Sequence, residues 1–216
     1  MDDYSLERHR MVVEQISGRG LSEPRLLAAF ELVPRHLFVP EGSRSAAYDD
    51  HPLPIGFGQT ISQPFTVALM TNLLELTGDE RVLEVGTGSG YQAAILGQLA
   101  GEVHTIEFIP ELAAQAEKII KDLRIENVII HLGDGSLGWP GSAPFAGILV
   151  TAAAPKVPGP LLEQLADNGR LVIPVSHSWQ GQFLILITRR DQEFVEQVIT
   201  SVAFVPLRGK YGWRGK

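Results

Sequence analysis

Residues 81–94 have the sequence RVLEVGTGSGYQAA, and this stretch decides which fold the rest of the chain must complete. It begins with a short apolar run of the kind that fills a buried parallel strand. Three glycines follow at alternate positions, Gly86, Gly88 and Gly90, before a helix-compatible run over residues 91–99. Glycines let the backbone approach a ligand closely, and a helix N-terminus directs free N–H groups toward it. The pattern therefore fits either a plain strand-to-helix turn or a nucleotide-type site.

The loop alone does not identify its ligand. Its last two glycines and Ala93 also satisfy the dinucleotide pattern G-x-G-x-x-A, and Glu107 lies 19 positions after Gly88, about where that fold places its ribose carboxylate. Two other features favour S-adenosylmethionine (SAM). Glu84 occupies the acidic position of E-x-G-x-G-x-G, the pattern of SAM-dependent methyltransferases, and an Asp134-Gly135 pair follows a later strand.

Strand-like and helix-like segments alternate after the glycine loop. Strands are predicted at residues 102–106, 128–132, 146–150 and 170–175, with helices at 110–123 and 160–166 between them. Two alternating segments, 183–188 and 194–204, follow as late strands joined by a turn at Asp191. Such alternation predicts an α/β fold: a doubly wound, mostly parallel sheet that ends in antiparallel strands.

The first 76 residues are expected to form a helical flank and a loop over this sheet. A helix over residues 5–16, capped by Ser5, would place Leu6, Val13 and Ile16 on one face, and a second helix would begin near Ser22. Prolines and glycines in 34–60 exclude long regular elements, but the aromatic content predicts an ordered loop. Ser62 stands where it would cap a helix over residues 65–76.

Composition narrows the possible functions. A chain of 216 residues predicts a single domain, which we divide into helices and substrate loop (1–76), cofactor-binding core (77–190) and C-terminal strand and tail (191–216). A net charge of −7 argues against nucleic acid as a partner, and the absence of cysteine excludes disulfides and thiolate sites. No apolar run is long enough to span a membrane, and the charged N-terminus has no signal-peptide core, so a cytoplasmic location is expected.

Motifs for other chemistry are missing from the sequence. The histidines lack the spacing of a metal site, so no metal is expected. Neither a G-x-S-x-G elbow nor a GxxxxGK[ST] loop is present, which leaves hydrolase and nucleotide-hydrolysis functions unsupported.

With these residues in view, the chain resembles the protein-L-isoaspartate O-methyltransferase family from about Arg8 to Gly212. The resemblance lies in RHRMVVEQISGRG, VPRHLFVP, QTISQPF, VLEVGTGSGYQAA, GDGSLGWP, VTAAAPKVP, GRLVIPV and FVPLRG. It implies a Rossmann-like fold that transfers a methyl group from SAM to the α-carboxylate of L-isoaspartyl residues. The ester would re-form a succinimide and return normal aspartate, so the implied function is repair of damaged proteins and peptides, by an enzyme expected to be a monomer.

The resemblance also implies roles for individual residues. Ser62 would be the active-site serine, Glu107 would bind the SAM ribose, and Asp134-Gly135 would lie by the adenine. The implied cofactor-binding residues are Gln59, Thr60, Ile61, Ser62, Glu84, Gly86, Gly88, Gly90, Glu107, Asp134 and Gly135. The implied substrate-binding residues are Ile61, Ser62, Thr151 and Ala152. One departure is the sequence Phe145-Ala146-Gly147, where methyltransferases commonly carry an acidic residue at the start of the fourth strand.

Two alternatives of a different class remain open on the sequence. An NAD-dependent oxidoreductase would need a catalytic Tyr/Lys or His/Asp set, which the sequence does not offer, and would bind NAD alone. A non-enzymatic SAM-binding domain would bind the cofactor without turning over an isoaspartyl peptide. Methylation of some other carboxylate is a variant of the main hypothesis.

Overall fold

The computed structural model describes residues 4–177 and 181–213. The outermost residues of the expected domain, 1–3 and 214–216, therefore lie outside the described part. A two-stranded sheet and a seven-stranded sheet are present in that part. The strands are β1 (Leu53–Gly56), β2 (Gln59–Ile61), β3 (Arg81–Val85), β4 (Glu102–Glu107), β5 (Val128–Leu132), β6 (Phe145–Val150), β7 (Leu165–His177), β8 (Gly181–Arg190) and β9 (Glu193–Val202).

The large sheet confirms the predicted doubly wound fold. Its strand order is β5-β4-β3-β6-β7-β8-β9, with parallel pairing from β5 to β7 and antiparallel pairing from β7 to β9. The predicted late hairpin turns at Asp191, whose φ is +56°. Because the chain passes from β3 outward to β5 and then returns to β6, the strand order reverses between β3 and β6. In open α/β sheets, ligands bind at the carboxyl ends of strands at such a reversal.

Helices cover both faces of the large sheet. They are α1 (Ser5–Arg10), α2 (Pro24–Leu32), α3 (Pro64–Leu73), α4 (Tyr91–Gly97), α5 (Pro110–Asp122) and α6 (Gly159–Glu163). Met70 of α3 and Leu96 of α4 pack in one hydrophobic cluster with Val82, whereas Leu161 of α6 packs in another with Leu83. Successive residues of β3 thus face opposite sides, and Glu84 lies on the side of Val82.

The first helix forms, but the buried face that the sequence predicted for it is wrong. It continues after α1 as a π-helix (Met11–Ile16) and a short 3-10 turn (Ser17–Arg19). A π-helix places more residues in each turn than an α-helix, which rotates the following side chains away from the expected register. As a result Leu6 and Val13 are 64% and 49% exposed, and Met11 and Val12 are buried instead with Ile16.

The expected cap of the first helix is also wrong. Tyr4, rather than Ser5, precedes α1, and it makes no side-chain capping bond. Helix α2 begins near Ser22, as predicted, and its cap is Glu23, whose carboxylate accepts a 2.5 Å hydrogen bond from Leu26 N–H. A glutamate can therefore supply the acceptor that shorter polar side chains usually provide.

The proline- and glycine-rich segment is ordered, as predicted, and holds more regular structure than expected. It contains two 3-10 turns, Arg35–Phe38 and Glu41–Ala46, followed by the β1–β2 hairpin. Phe57, at the tip of the hairpin, has a φ of +52°.

The segment before the fifth predicted strand differs most from expectation. Helix α6 ends at Glu163 rather than 166, and β7 already begins at Leu165, opposite Phe145. The residues between the predicted helix and strand form a bulge within β7, with Asn168 at a φ of +59°. Among the residues that the model describes, none of the helices has the length and apolar character needed to cross a membrane.

Candidate active site

A cleft opens at the carboxyl ends of β3 and β6, where the strand order reverses. Together with the open space at its mouth, the cleft encloses about 900 Å³. It is lined by residues 59–62, 84–89, 106–109, 151–152 and 205–208, together with Val67, Met70, Tyr91, Gln92 and Gly135. The glycine loop and the Gln59–Ser62 strand end therefore face one another across a single space.

Close packing of β3 against β6 explains the first glycine of the loop. Gly86 has a φ of +98°, which side-chain-bearing residues rarely adopt. A Cβ at this position would lie 2.3 Å from Thr151 Oγ1, a contact that neither atom can relieve. Thr151 Oγ1 instead donates a 2.6 Å hydrogen bond to the Gly86 carbonyl. Thr151 thus fixes the floor of the cleft.

Glu107 holds the glycine loop to the end of β4. Its carboxylate accepts hydrogen bonds from Gly88 N–H (2.7 Å), Phe108 N–H (2.9 Å) and Ile109 N–H (2.9 Å). It is only 6% exposed. A carboxylate has about four acceptor positions, so roughly one is left for a ligand in the cleft.

Glu84 lies fully buried beneath the same loop. One carboxylate oxygen accepts a 2.5 Å hydrogen bond from Thr105 Oγ1, which lies 2.6 Å from Thr87 Oγ1. The other oxygen, Oε1, has no hydrogen-bond partner in the described part of the chain. Burial raises the pKa of Glu84 to about 8; the nearby Glu107 charge adds to this shift and the Thr105 hydrogen bond opposes it.

Ser62 is not a helix cap, contrary to the expectation from its position. Helix α3 begins at Pro64 after Gln63, and the Ser62 hydroxyl makes no hydrogen bond within residues 4–177 and 181–213. The Ser62 carbonyl accepts a 2.7 Å hydrogen bond from Arg35 Nη2. The hydroxyl is therefore free of a capping role, and Ser62 lines the cleft.

A C-terminal strap, residues 204–213, forms one wall of the cleft. Leu207 N–H donates to the Ala153 carbonyl at 2.9 Å and Trp213 N–H donates to the Leu207 carbonyl at 2.7 Å. Asp134 ties the strap to the loop after β5, because Oδ2 accepts a 2.7 Å hydrogen bond from Lys210 N–H. Its other oxygen accepts from Ser136 N–H at 2.9 Å.

Most of the residues predicted from the sequence meet in this cleft. The predicted residues that line it are Gln59, Thr60, Ile61, Ser62, Glu84, Gly86, Gly88, Glu107, Gly135, Thr151 and Ala152. Two others lie beside it: Gly90 packs against Ala116, and Asp134 is engaged with the strap. Contacts of these two with a cofactor stay a prediction.

Sequence reasoning missed the wall contributed by residues 205–208 and the buried Arg35. The signal for both was present in FVPLRG and VPRHLFVP, two segments whose residues received no role. Neither segment is near the glycine loop in sequence, so only the fold brings residues 205–208 to the cleft and Arg35 to the Ser62 carbonyl.

Comparison with known proteins gives consistent results. The family model described as Protein-L-isoaspartate(D-aspartate) O-methyltransferase matches residues 7–212. The protein-L-isoaspartate O-methyltransferase of Trichlorobacter lovleyi is 54% identical over 214 residues, covering 99% of each chain. That of Methanoregula boonei is 55% identical over 207 residues, covering 96% of this chain and 95% of its own.

Two solved structures share the fold over nearly the whole chain. One is a protein-L-isoaspartate O-methyltransferase with a TM-score of 0.86 and 29% identity, covering 95% of this chain and 67% of its own. The other, from Plasmodium falciparum, is assigned to the same enzyme class and was solved with S-adenosyl-L-homocysteine. Its TM-score is 0.81 at 26% identity, and the match covers 93% of this chain and 98% of that one.

Proposed function

The chain belongs to the protein-L-isoaspartate(D-aspartate) O-methyltransferase family, and from that premise we propose that it methylates the α-carboxylate of L-isoaspartyl residues, using SAM. The acceptors are isoaspartyl-containing peptides and damaged proteins. The resulting ester closes to a succinimide, and repeated cycles return the residue to aspartate.

One observation carries the proposal: the glycine loop and Ser62 line the same cleft. A methyl transferase must bring its donor and its acceptor into contact, so residues for both have to share one space. The loop with Glu84 and Glu107 supplies the donor side, and the Gln59–Ser62 strand end supplies the acceptor side.

The residues present fit SAM. Gly86 lets the loop pack against Thr151, where a side chain would collide, and Glu107 keeps an acceptor position for a ribose hydroxyl. The unpartnered Oε1 of buried Glu84 leaves one hydrogen-bonding position open beneath the loop. When bound, SAM supplies an electrophilic methyl group on a positively charged sulfur, and its ribose hydroxyls can donate to the Glu107 carboxylate.

The chain does not need a strong base for this reaction. A backbone-type carboxylate has an intrinsic pKa of roughly 3.3–3.7, so the acceptor is already an anion at neutral pH. The task left to the protein is to orient that carboxylate and exclude water. The Ser62 hydroxyl can donate a hydrogen bond to the substrate carboxylate, and buried Val67 and Met70 keep the cleft wall apolar.

A methyl-transfer assay with matched peptides tests the function. We expect label from methyl-labelled SAM to enter a peptide containing isoaspartate and not the same peptide containing aspartate. The label should be released as methanol in alkali, because a carboxyl ester hydrolyses there and an N-methyl group does not. Alkali-stable label, or equal labelling of both peptides, would contradict the proposal.

Further expectations accompany this function. We infer a cytoplasmic monomer that does not bind nucleic acid; the net charge of −7 supports the last point. The division into 1–76, 77–190 and 191–216 within one domain is also a proposal. The single domain is supported by a hydrophobic cluster that joins Met11 and Phe30 to Tyr91 and Leu112. Light scattering on the purified protein would check the oligomeric state.

A further inference from the structure

Arg35 is a buried cation that the proposed reaction does not use. Its side chain is fully buried, at the start of the 3-10 turn that follows α2. Nε donates to the Ala47 carbonyl and Nη2 donates to the Ser62 carbonyl, both at 2.7 Å. No carboxylate lies within ion-pair distance of Arg35 in the part of the chain that the structure describes.

Such an arrangement costs stability. Removing a charge from water without an opposite charge nearby is unfavourable. At Arg35 this cost is large, because burial lowers the pKa of the guanidinium to about 10. Nη1 has no hydrogen-bond partner in the described residues, which adds to the cost. An apolar side chain would fill the same volume more cheaply. The guanidinium must therefore provide something that packing alone does not.

The geometry shows what the guanidinium provides. The planar guanidinium donates to two backbone carbonyls that are far apart in sequence, those of Ala47 and Ser62. Its central carbon also lies 4.9 Å from the ring centre of Tyr91, the first residue of α4 after the glycine loop. Arg35 therefore contacts the segments on both the acceptor side and the donor side of the cleft.

We propose that Arg35 is a positioning residue for Ser62, because its fork fixes the Ser62 backbone and thereby sets the direction of the Ser62 hydroxyl. This inference rests on the proposed function, in which that hydroxyl orients the substrate carboxylate. Arg35 itself does not line the cleft and touches neither substrate nor cofactor. A lysine has one nitrogen and cannot reproduce the two separate donors, although it keeps the charge.

The test replaces Arg35 by lysine and measures turnover per mole of folded, SAM-competent enzyme on an isoaspartyl peptide. We expect R35K to lower kcat by about ten-fold, while the Kd for SAM and the KM for the peptide change by less than about three-fold. Arg25 gives a control for the bridging geometry, because this exposed arginine also bridges two backbone carbonyls, of Leu76 and Leu99, but away from the cleft. R25K should keep wild-type kcat.

A double-mutant cycle separates positioning from general stability. If Arg35 acts through the serine hydroxyl, R35K should cost less than about two-fold in kcat when Ser62 is already alanine. A full loss in that background, or wild-type kcat in folded R35K, would overturn the proposal. If neither R35K nor R35Q folds while R25K does, Arg35 belongs to the fold alone and the proposal is also overturned. Failure of the wild-type enzyme to methylate the peptide would instead reject the proposed function.

Discussion

Glu84 and Glu107 lie on neighbouring strands, but their surroundings give the two carboxyl groups different hydrogen-bond partners. Glu107 is satisfied by three backbone N–H groups, whereas Glu84 has a single hydroxyl donor and a raised pKa of about 8. Both stand at strand ends beside the glycine loop, and the sequence predicts a cofactor contact for each. The number of donors around each carboxylate depends on the fold, which no local pattern encodes.

Glu84 should make the protein less stable as the pH rises. In the unfolded chain its pKa returns to the ordinary value of 4.5, whereas the folded value is about 8. Between these values the folded state holds one more proton, so the free energy of unfolding falls with increasing pH and levels off above about 8. E84Q removes this contribution. In denaturant titrations, E84Q should become more stable relative to wild type as the pH rises from 5 to 8. A stability difference that does not change with pH would contradict the assignment.

Glu107 should affect both SAM binding and the loop that it anchors. Replacing it by alanine leaves three N–H groups without their acceptor and removes a charged acceptor worth about 1.5–3 kcal/mol to a ligand. We expect E107A to weaken SAM binding by about one to two orders of magnitude and to lower stability as well. Calorimetric titration of the folded fraction measures the affinity. E111A, at an exposed glutamate in the first turn of α5, is the control and should bind SAM normally.

Ser62 should matter for turnover and hardly for stability. Its hydroxyl caps no helix, so we expect S62A to change the free energy of unfolding by less than about 0.5 kcal/mol. A lost hydrogen bond to a charged group predicts a ten- to hundred-fold drop in turnover, with about unchanged SAM affinity. S62T should retain more activity than S62A. Wild-type turnover in S62A would remove Ser62 from the active site.

At the scale of elements, the strap of residues 204–213 forms one wall of the cleft through residues 205–208. It has little regular structure and is fixed by single contacts, including that of Lys210 N–H with Asp134. Asp134 therefore acts here through the strap, whatever contact it makes with a ligand.

We expect Gly209 to be the residue of the strap that tolerates substitution least. Its φ is +130°, and a Cβ would lie 1.9 Å from Asp134 Oδ1, so alanine must push the strap off the carboxylate. We expect G209A to weaken SAM binding by about ten-fold. Gly20 is the matched control, with a φ of +94° and open space around its Cβ position. G20A should lose stability but bind SAM normally; equal affinities of G209A and wild type would show that the strap does not govern the cleft.

The sequence was informative about elements wherever the interactions are local. Strands β3 to β6 follow the predicted limits to within one residue, because each is an apolar run ended by a turn signal. The face of residues 11–16 was predicted wrongly, since the prediction assumed the α-helical period and the segment forms a π-helix. The role of Arg35 and the strap was equally hidden, because both depend on contacts between segments far apart in sequence.

At the scale of the whole molecule, the cofactor cleft is built from nearly the full length of the chain. Residues 59–62, 84–89 and 205–208 all line it, so ligand binding should stabilise the domain as a unit. SAM at 100 times its Kd should stabilise the protein by about 2.7 kcal/mol, a shift in Tm of roughly 5–10 °C. NAD at the same concentration should give no shift. A shift with NAD and none with SAM, in thermal unfolding, would favour the oxidoreductase alternative.

The position of the strap in the sequence has a consequence for biosynthesis. Residues 205–208 leave the ribosome after every other residue that lines the cleft. A nascent chain can already pair β3 with β4 and form the glycine loop while the wall of the cleft is still inside the exit tunnel. Tight SAM binding should therefore begin only after residues 205–208 have emerged, and nascent chains stalled before residue 205 should not capture the methyl donor.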